Sequence, residues 1–201
     1  MSFFKQAFGK KFDKLSPQLK HRFDIEGNKK CSAILKGRYN STVVPSAFWK
    51  VFFAIPYFSK IRLPYTDTES PFEIVNQVNS PSKEHSINRS FLMKNPTQLP
   101  AILYIKDGIF YCKEIIDERF NVDFKLDVDV DEQGKVIMAS SRQVLIWNEK
   151  RYTLPSFMSF KLSFVEQYDA VVEKYRFEAE ARHPIFGKLI EFSGLFSVSF
   201  T

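Results

Sequence analysis

The sequence predicts a mainly β protein, a β-rich α+β chain whose large antiparallel up-and-down sheet curls into a barrel or half-barrel. From about residue 61 onward, apolar residues recur at every second position, which is typical of strands with one dry and one wet face. The links between these strands are short, so neighbouring strands run antiparallel. We count roughly nine to eleven strands, and a sheet of that size tends to curl or close.

The N-terminal segment is the helical part of the prediction. An apolar stripe at helical spacing predicts a helix over residues 3–14, and Ser16 followed by Pro17 is a typical start for a second one. We expect a single domain, with a helical segment over 1–30 and a β-rich body over 31–201. The stripe consists of Phe4, Phe8, Phe12 and Leu15.

Residues 46–58 predict a further short helix, which would join the N-terminal helices in covering one end of the barrel. This segment is apolar on nearly every side, so its helix must be buried or face lipid. Trp49, Phe52 and Phe53 lie beside lysines, a combination that also suits the surface of an anionic membrane. Both interpretations, a buried lid and an interfacial helix, remain open.

The strands after residue 70 form two candidate hairpins and one long alternating strand. "PFEIVNQVNS" pairs with "HSINRSFLMKN", and Asp107-Gly108 is the turn of the second hairpin. In "FNVDFKLDVDV" (120–130), the apolar residues share one face and the charged ones the other. Residues 148–156 are expected to be a loop holding Pro155. The phase of "INRSF" leaves Arg89 either outward or inward, and inward it would be an anchor for a polar head group.

The late strands place a surplus of large side chains on one face. The chain has 22 Phe, 8 Tyr and 2 Trp, more flat apolar bulk than a small core usually requires. We therefore predict a non-enzymatic binding module that holds a lipid or another apolar small molecule inside an aromatic-lined barrel. The predicted ligand-binding residues are Arg89, Phe124, Leu126, Phe160, Leu162, Phe177, Phe192 and Phe196.

The charge is uneven along the chain. The net charge is +6, yet residues 1–60 carry 12 Lys/Arg against three acids, and the remainder is net negative. A basic N-terminal face suits a membrane or a partner protein, so a structural or interaction protein is one alternative function. Aromatic residues alternate with acids on the sheet, which argues against nucleic acid. The predicted contact residues are Lys10, Lys11, Lys29, Lys30, Trp49, Phe52 and Phe53.

No sequence motif specifies a reaction, a metal or a cofactor. "DVDVDEQG" resembles a calcium loop only at its first aspartates, since Glu132 replaces the required Gly and Met138 the final Glu. The three histidines are scattered, and His183 before Pro184 fits a turn. A small enzyme that uses Arg89, His85 or a buried acid inside the barrel is the other alternative function. We expect no cofactor and no bound metal, and the oligomeric state is left open.

Cysteines and targeting features predict a cytoplasmic protein, or one peripheral to the inner face of the membrane. Cys31 and Cys112 have no metal spacing and are expected to be reduced and half-buried. The N-terminal "MSFFKQAFGKKF" has no continuous apolar core of a secretory signal. No apolar run approaches the roughly 20 residues of a membrane-spanning helix.

Several motifs resemble one known family across nearly the whole chain. They are "FGKKFDKLSPQLKHRF" (8–23), "NRSF" (88–91), Leu154-Pro155, "YRFEAEARHPIFG" (175–187) and "FSG" (192–194). Together they resemble an uncharacterised bacterial family catalogued as domain of unknown function 4166. Phe192 stands where that family usually has Tyr, and residues 45–66 are more aromatic than is typical.

The resemblance implies little about chemistry. Some members of the family follow a domain that resembles nicotinamide-dependent oxidoreductases, which implies an accessory or ligand-handling role. No catalytic residue carries over from the family to this sequence. An accessory role beside such an oxidoreductase therefore belongs with the enzyme alternative.

Overall fold

Two short helices and a 3₁₀ helix precede eleven strands in the described part of the chain. The computed structural model describes residues 2–25, 32–43, 67–79, 84–91, 97–116, 118–157 and 159–201. The elements are α1 Phe3–Phe8, a 3₁₀ helix Gly9–Lys14, α2 Pro17–Phe23, β1 Ser32–Val43, β2 Asp67–Asn79, β3 Glu84–Phe91, β4 Thr97–Lys106, β5 Ile109–Ile115, β6 Phe120–Val130, β7 Val136–Trp147, β8 Lys150–Thr153, β9 Lys161–Asp169, β10 Lys174–His183 and β11 Gly187–Phe200.

Ten of these strands close into an antiparallel barrel, which confirms the predicted fold class and decides between barrel and half-barrel. Consecutive strands pair from β1 to β7, and β11 returns to pair with β1. The ring closes at β7, because its first residues, Val136 to Ala139, pair with β9 while its other edge pairs with β6. β8 lies outside the ring as a short addition to the last residues of β7.

The N-terminal helices pack into one end of the barrel, which we call the helix end. All four residues of the predicted stripe are buried there, together with Leu19 and Phe23. The α-helix is shorter than the predicted 3–14, since Gly9 adopts a positive φ of 55° and the chain continues as a 3₁₀ helix. The predicted 46–58 helix lies outside the described residues, and the strands that flank it stop at the opposite end, the loop end.

The start of α2 is fixed against the turn between β6 and β7. Ser16 caps the helix through its side chain and Pro17 is its first residue, both as predicted. The Ser16 N–H donates to the Gly134 carbonyl oxygen at 3.3 Å. A Cβ at Gly134 would lie 2.5 Å from the Ser16 nitrogen, so only glycine allows this approach. The helix end is thereby joined to the barrel wall by backbone contact.

Gly194 allows a close approach between neighbouring strands near the middle of the wall. It pairs with Tyr39 on β1 and Phe177 on β10. A Cβ at Gly194 would lie 2.5 Å from the Arg38 carbonyl oxygen and 2.7 Å from the Phe177 ring. The ring of Phe177 takes the space that a side chain would occupy, a common way to support a glycine in a curved sheet.

One predicted loop is partly a strand. The expected loop over 148–156 contains β8, which pairs with β7 from Val144 to Trp147. Asn148 and Glu149 both adopt positive φ values, 45° and 66°, and so form a two-residue hairpin turn. The sequence did not predict this hairpin, because the charged run "NEKR" (148–151) shows no alternation of apolar and polar residues. The predicted turn at Asp107-Gly108 and the inward face of β6 are confirmed.

Candidate functional site

The inward face of β3 carries the candidate site, and it resolves the orientation of Arg89. His85, Ile87 and Arg89 alternate on one face of β3, and the His85 ring stacks on Phe3 of α1 at 4.2 Å. Since α1 packs into the barrel, this face is the inner one. Arg89 therefore points into the interior, the second of the two orientations that the sequence left open.

Arg89 forms an ion pair with Glu114 across the intervening strand β4. The Arg89 guanidinium donates a short hydrogen bond to the Glu114 carboxylate. Ala101 of β4 pairs with Ile87 on one side and Glu114 on the other, and its methyl group leaves room for the two long side chains to meet. The ion pair thus depends on a small residue in the strand between its partners.

This ion pair is accessible to solvent although it lies inside a closed barrel. The side chains of Arg89 and Glu114 are 24% and 25% exposed. Both side chains lie on the inner face toward the loop end, so solvent reaches them from that end of the barrel rather than across its outer wall. Burial alone would lower the pKa of Arg89, but the carboxylate of Glu114 raises it overall, so the guanidinium stays charged.

Cys112 lies beside the ion pair as a protonated thiol. Its sulfur donates toward a Glu114 carboxylate oxygen at 3.5 Å. Burial raises the pKa of the thiol, and the charge of Glu114 raises it further. The thiol is half-buried, as predicted, while Cys31 lies outside the described residues. Cys112 is therefore a weakly polar wall residue and a poor nucleophile.

The predicted apolar lining residues fall into two groups around the same interior. Phe177, Phe192 and Phe196 belong to a cluster with Tyr39 and Phe72, with the centroids of Phe177 and Phe196 at 6.1 Å. Phe124, Leu126, Phe160 and Leu162 form the second group near β6, with Phe124 and Phe160 at 5.8 Å. Phe124 and Phe196 are buried by protein contacts, whereas the other members of both predicted groups are half-buried.

A second inward ion pair lies at the helix end, and the sequence gave no sign of it. Arg22 of α2 reaches Glu166 of β9 with 3.2 Å between Nε and Oε1. These side chains are only 6% and 1% exposed. Burial raises the pKa of Glu166, and Arg22 opposes that change. No sequence pattern links a helix residue to a strand residue 144 positions later.

His85 does not join Arg89 in a catalytic arrangement. It lies four residues away along β3, about 13 Å in an extended strand, beneath Phe3 and Phe4. It is buried, and within the described residues neither ring nitrogen has a hydrogen-bond partner. Burial lowers the pKa of His85 to about 4, so the ring is neutral at physiological pH. Arg89 and His85, two of the groups named for the enzyme alternative, therefore lie in separate parts of the interior.

The predicted contact residues are mostly outside the described part of the chain. Lys29, Lys30, Trp49, Phe52 and Phe53 belong to that undescribed set, and Lys10 is exposed on the 3₁₀ helix. The Lys11 ammonium donates to the Val128 carbonyl oxygen at 2.6 Å and lies 3.2 Å from Asp129. Lys11 therefore joins the helical segment to β6.

The outer wall holds a polar network that sequence reasoning also missed. Asp123 is fully buried although it faces outward, because Tyr104 and Arg151 both donate to the same carboxylate oxygen at 2.7 Å. Burial, and then Asp123, raise the pKa of Tyr104. Arg151 reaches Asp123 only because β8 lies beside β7, so a predicted loop concealed this contact.

The remaining features add no chemistry to the interior. A surface cleft of about 460 Å³ lies at the helix end, bordered by Pro17, His21 and Tyr168, and it contains none of the predicted ligand-binding residues. Within the described ranges, no cluster of His, Cys, Asp and Glu could hold a metal ion. None of the described helices is long and apolar enough to cross a membrane.

Comparisons with known proteins give one match. Searches of curated proteins and of solved structures returned nothing similar. Residues 15–196 match the family described as domain of unknown function (DUF4166), in agreement with the motifs at both ends of the sequence. This match includes every strand from β1 to β10 and most of β11. The chain therefore belongs to the DUF4166 family.

Proposed function

We propose that the barrel binds an amphipathic small molecule, with its apolar body among the inward aromatic rings and a polar head group at Arg89. The observation that carries this proposal is the exposure of Arg89 and Glu114, about a quarter of each side chain, on the inner face of a closed barrel. Space that reaches a charged pair in this position can receive a head group.

The chemistry of the pair favours a head group that carries negative charge or accepts hydrogen bonds. A guanidinium binds carboxylate and phosphate groups through parallel N–H donors. A ligand carboxylate would share the guanidinium of Arg89 with Glu114 or displace the glutamate from it. The half-buried rings of Phe177 and Phe192 offer apolar surface in the same interior, where Phe177 contacts Phe72 of β2, the strand beside β3.

Small inward residues supply room on the side of the barrel nearer the loop end. Ala179 lies between Phe164 on β9 and Phe192 on β11, and Ala101 lies between Ile87 on β3 and Glu114 on β5, one residue pair from Arg89 on the inner face. At the helix end the inward residues are instead large, among them Phe3, Phe110 and Phe196. The ligand would therefore occupy the part of the interior nearer the loop end.

The first test is native mass spectrometry of protein purified without detergent, followed by organic extraction of any bound molecule. We expect a bound amphiphile at near-stoichiometric amount, or, for protein that carries no bound molecule, uptake of a fluorescent fatty acid. A clean apo mass together with no uptake of the fatty acid would refute the proposal.

Two variants locate the ligand. Ala179→Trp fills the proposed space and should abolish uptake, whereas the outward Arg182→Gln, on the same strand, should not change it. The double variant Arg89→Gln with Glu114→Gln, which is neutral, should lower the affinity for a fatty acid by about 10–100-fold, because one charge-assisted hydrogen bond is lost. The corresponding fatty alcohol should bind equally well to wild type and to this variant.

A further inference from the structure

Among the residues that the structure describes, most large exposed apolar side chains lie at the loop end. Five of them, which we call the rim patch, lie on the β7–β8 region and on the β10–β11 turn. Single exposed apolar residues are ordinary, but a cluster on one edge marks a contact surface. The rim patch consists of Trp147, Tyr152, Phe157, Ile185 and Phe186.

The topology brings these two segments together. β7, β9 and β10 are consecutive in the ring, and Lys161, the first residue of β9, pairs with Arg182 just before the β10–β11 turn. The segment that joins β8 to β9, which contains Phe157, therefore reaches the level of this turn. Phe157 and Ile185 are the most exposed members, at 59% and 67%. By contrast, Val171 and Val172 form a single exposed tip at the helix end, on the β9–β10 turn.

The β10–β11 turn presents its apolar tip in a defined conformation. His183 is buried, and its Nδ1 accepts hydrogen bonds from the backbone N–H groups of Ile185 at 3.1 Å and Phe186 at 3.4 Å. The His183 ring also contacts the Phe186 ring at 4.9 Å. The buried His183 therefore fixes the backbone of the turn in a conformation that leaves Ile185 exposed.

The rim patch is surrounded by basic residues. Segments 142–161 and 180–191 carry six Lys/Arg and three Glu. Arg182 and Lys188 pair with Glu180, while Lys150 and Lys161 are exposed and form no ion pair with any described residue. Exposed Trp, Tyr and Phe side chains with neighbouring lysines are characteristic of proteins that rest on an anionic membrane surface.

We propose that the rim patch docks the loop end of the barrel on a membrane surface that contains anionic lipids. The apolar tips would enter the headgroup region, and Lys150 and Lys161 would contact lipid phosphates. This differs from the membrane contact expected from the basic N-terminal segment, because the described N-terminal helices lie at the opposite end. It requires no ligand in the interior and stands independently of the proposed function.

The test is flotation of the purified full chain with vesicles of phosphatidylcholine, with and without phosphatidylglycerol. Phe157→Asp combined with Ile185→Asp should reduce the vesicle-bound fraction at least about tenfold, since each side chain buries apolar surface on insertion. The matched control, Val171→Asp with Val172→Asp, places the same charges on exposed residues at the helix end and should bind as wild type does. Lys150→Glu with Lys161→Glu should remove the preference for phosphatidylglycerol.

Several results would overturn the proposal. The proposal is wrong if the wild-type protein floats with neither kind of vesicle. It is also wrong if the Val171 and Val172 control loses as much of its vesicle-bound fraction as the rim variant does. Loss of flotation in Lys10→Glu with intact binding in the rim variant would place the contact at the helix end. If sedimentation velocity shows a dimer that dissociates in the rim variant, and no vesicle binds, the rim patch is a self-association surface.

Circular dichroism verifies that each variant is folded. Fatty-acid uptake by the rim variant separates this test from the test of ligand binding in the interior.

Discussion

The barrel contains two inward Arg–Glu pairs, and the contrast between them separates its two ends. Arg22–Glu166 at the helix end is 6% and 1% exposed, whereas Arg89–Glu114 is 24% and 25% exposed. The first joins a helix to the wall among large aromatic rings, and the second joins two strands of the wall across an alanine. The same chemistry thus serves two environments, one packed like a core and one reached by solvent.

The largest expected effect comes from breaking the buried pair. Glu166→Gln leaves the Arg22 charge without its partner in a dry environment, and it should lower the free energy of unfolding by about 3–5 kcal/mol. Replacing both partners, Arg22→Met with Glu166→Leu, should recover most of that loss because no charge remains buried. Urea denaturation followed by circular dichroism measures both variants.

The exposed pair is the control for that experiment. Glu114→Gln should cost clearly less than Glu166→Gln, since the Arg89 side chain is 24% exposed and solvent can reach the remaining guanidinium. An equal cost for the two single substitutions would show that the two environments do not differ. A double substitution at Arg22 and Glu166 that is as unstable as Glu166→Gln would also contradict this interpretation.

The next comparison concerns two phenylalanines of the predicted lining. Phe124 is 3% exposed and packs against Val122 and Phe160, so Phe124→Ala should cost about 3–5 kcal/mol. Phe192 is half-buried, and Phe192→Ala should cost less while it weakens fatty-acid uptake. Urea denaturation and uptake titration measure both effects in each variant. A reversed order of costs would place the proposed ligand contact at β6 rather than at β11.

The fold was largely predictable because it depends on local periodicity. Each residue of "FNVDFKLDVDV" alternates between interior and surface, and in a barrel that alternation alone decides which side chains point inward. The turn at Asp107-Gly108 was predictable from local sequence as well. Both residues adopt positive φ, and Asp followed by Gly is a pair that tolerates this conformation. The β7–β8 hairpin was missed because Asn148 and Glu149 adopt positive φ without a glycine.

The site was predictable only in part, because ion pairs and burial depend on the three-dimensional register. Arg89 could be identified as a candidate, yet its partner Glu114 is set by the pairing of β3, β4 and β5. Arg22 and Glu166 lie at the two ends of the sequence and meet only when α2 enters the closed ring. Long-range contacts of this kind leave no pattern in a single sequence.

A third test uses pH to probe the helix end. Burial lowers the pKa of His85 from 6.5 to about 4. Between pH 6.5 and pH 4, His85 is therefore protonated in the unfolded chain and neutral in the folded one. Stability should therefore be complete above about pH 6.5 and fall by about 3 kcal/mol as the pH drops to 4. His85→Leu should remove that share of the loss in urea titrations at pH 7 and pH 4, and an unchanged pH profile would contradict it.

The smallest expected effect tests how firmly α2 is held. The Ser16 hydroxyl accepts from the Leu19 N–H at a long 3.4 Å, so Ser16→Ala should cost about 0.5–1 kcal/mol, whereas Ser16→Asp keeps a capping oxygen and should cost less. The helix has other attachments at its two ends, among them the hydrogen bond from the Tyr175 hydroxyl to the Gln18 carbonyl oxygen at 3.0 Å. Fatty-acid uptake should be the same in both variants, since α2 lies at the helix end and the proposed ligand does not. If Ser16→Ala lowers uptake along with stability, the two ends of the barrel are coupled, and the helical segment controls the interior that it closes.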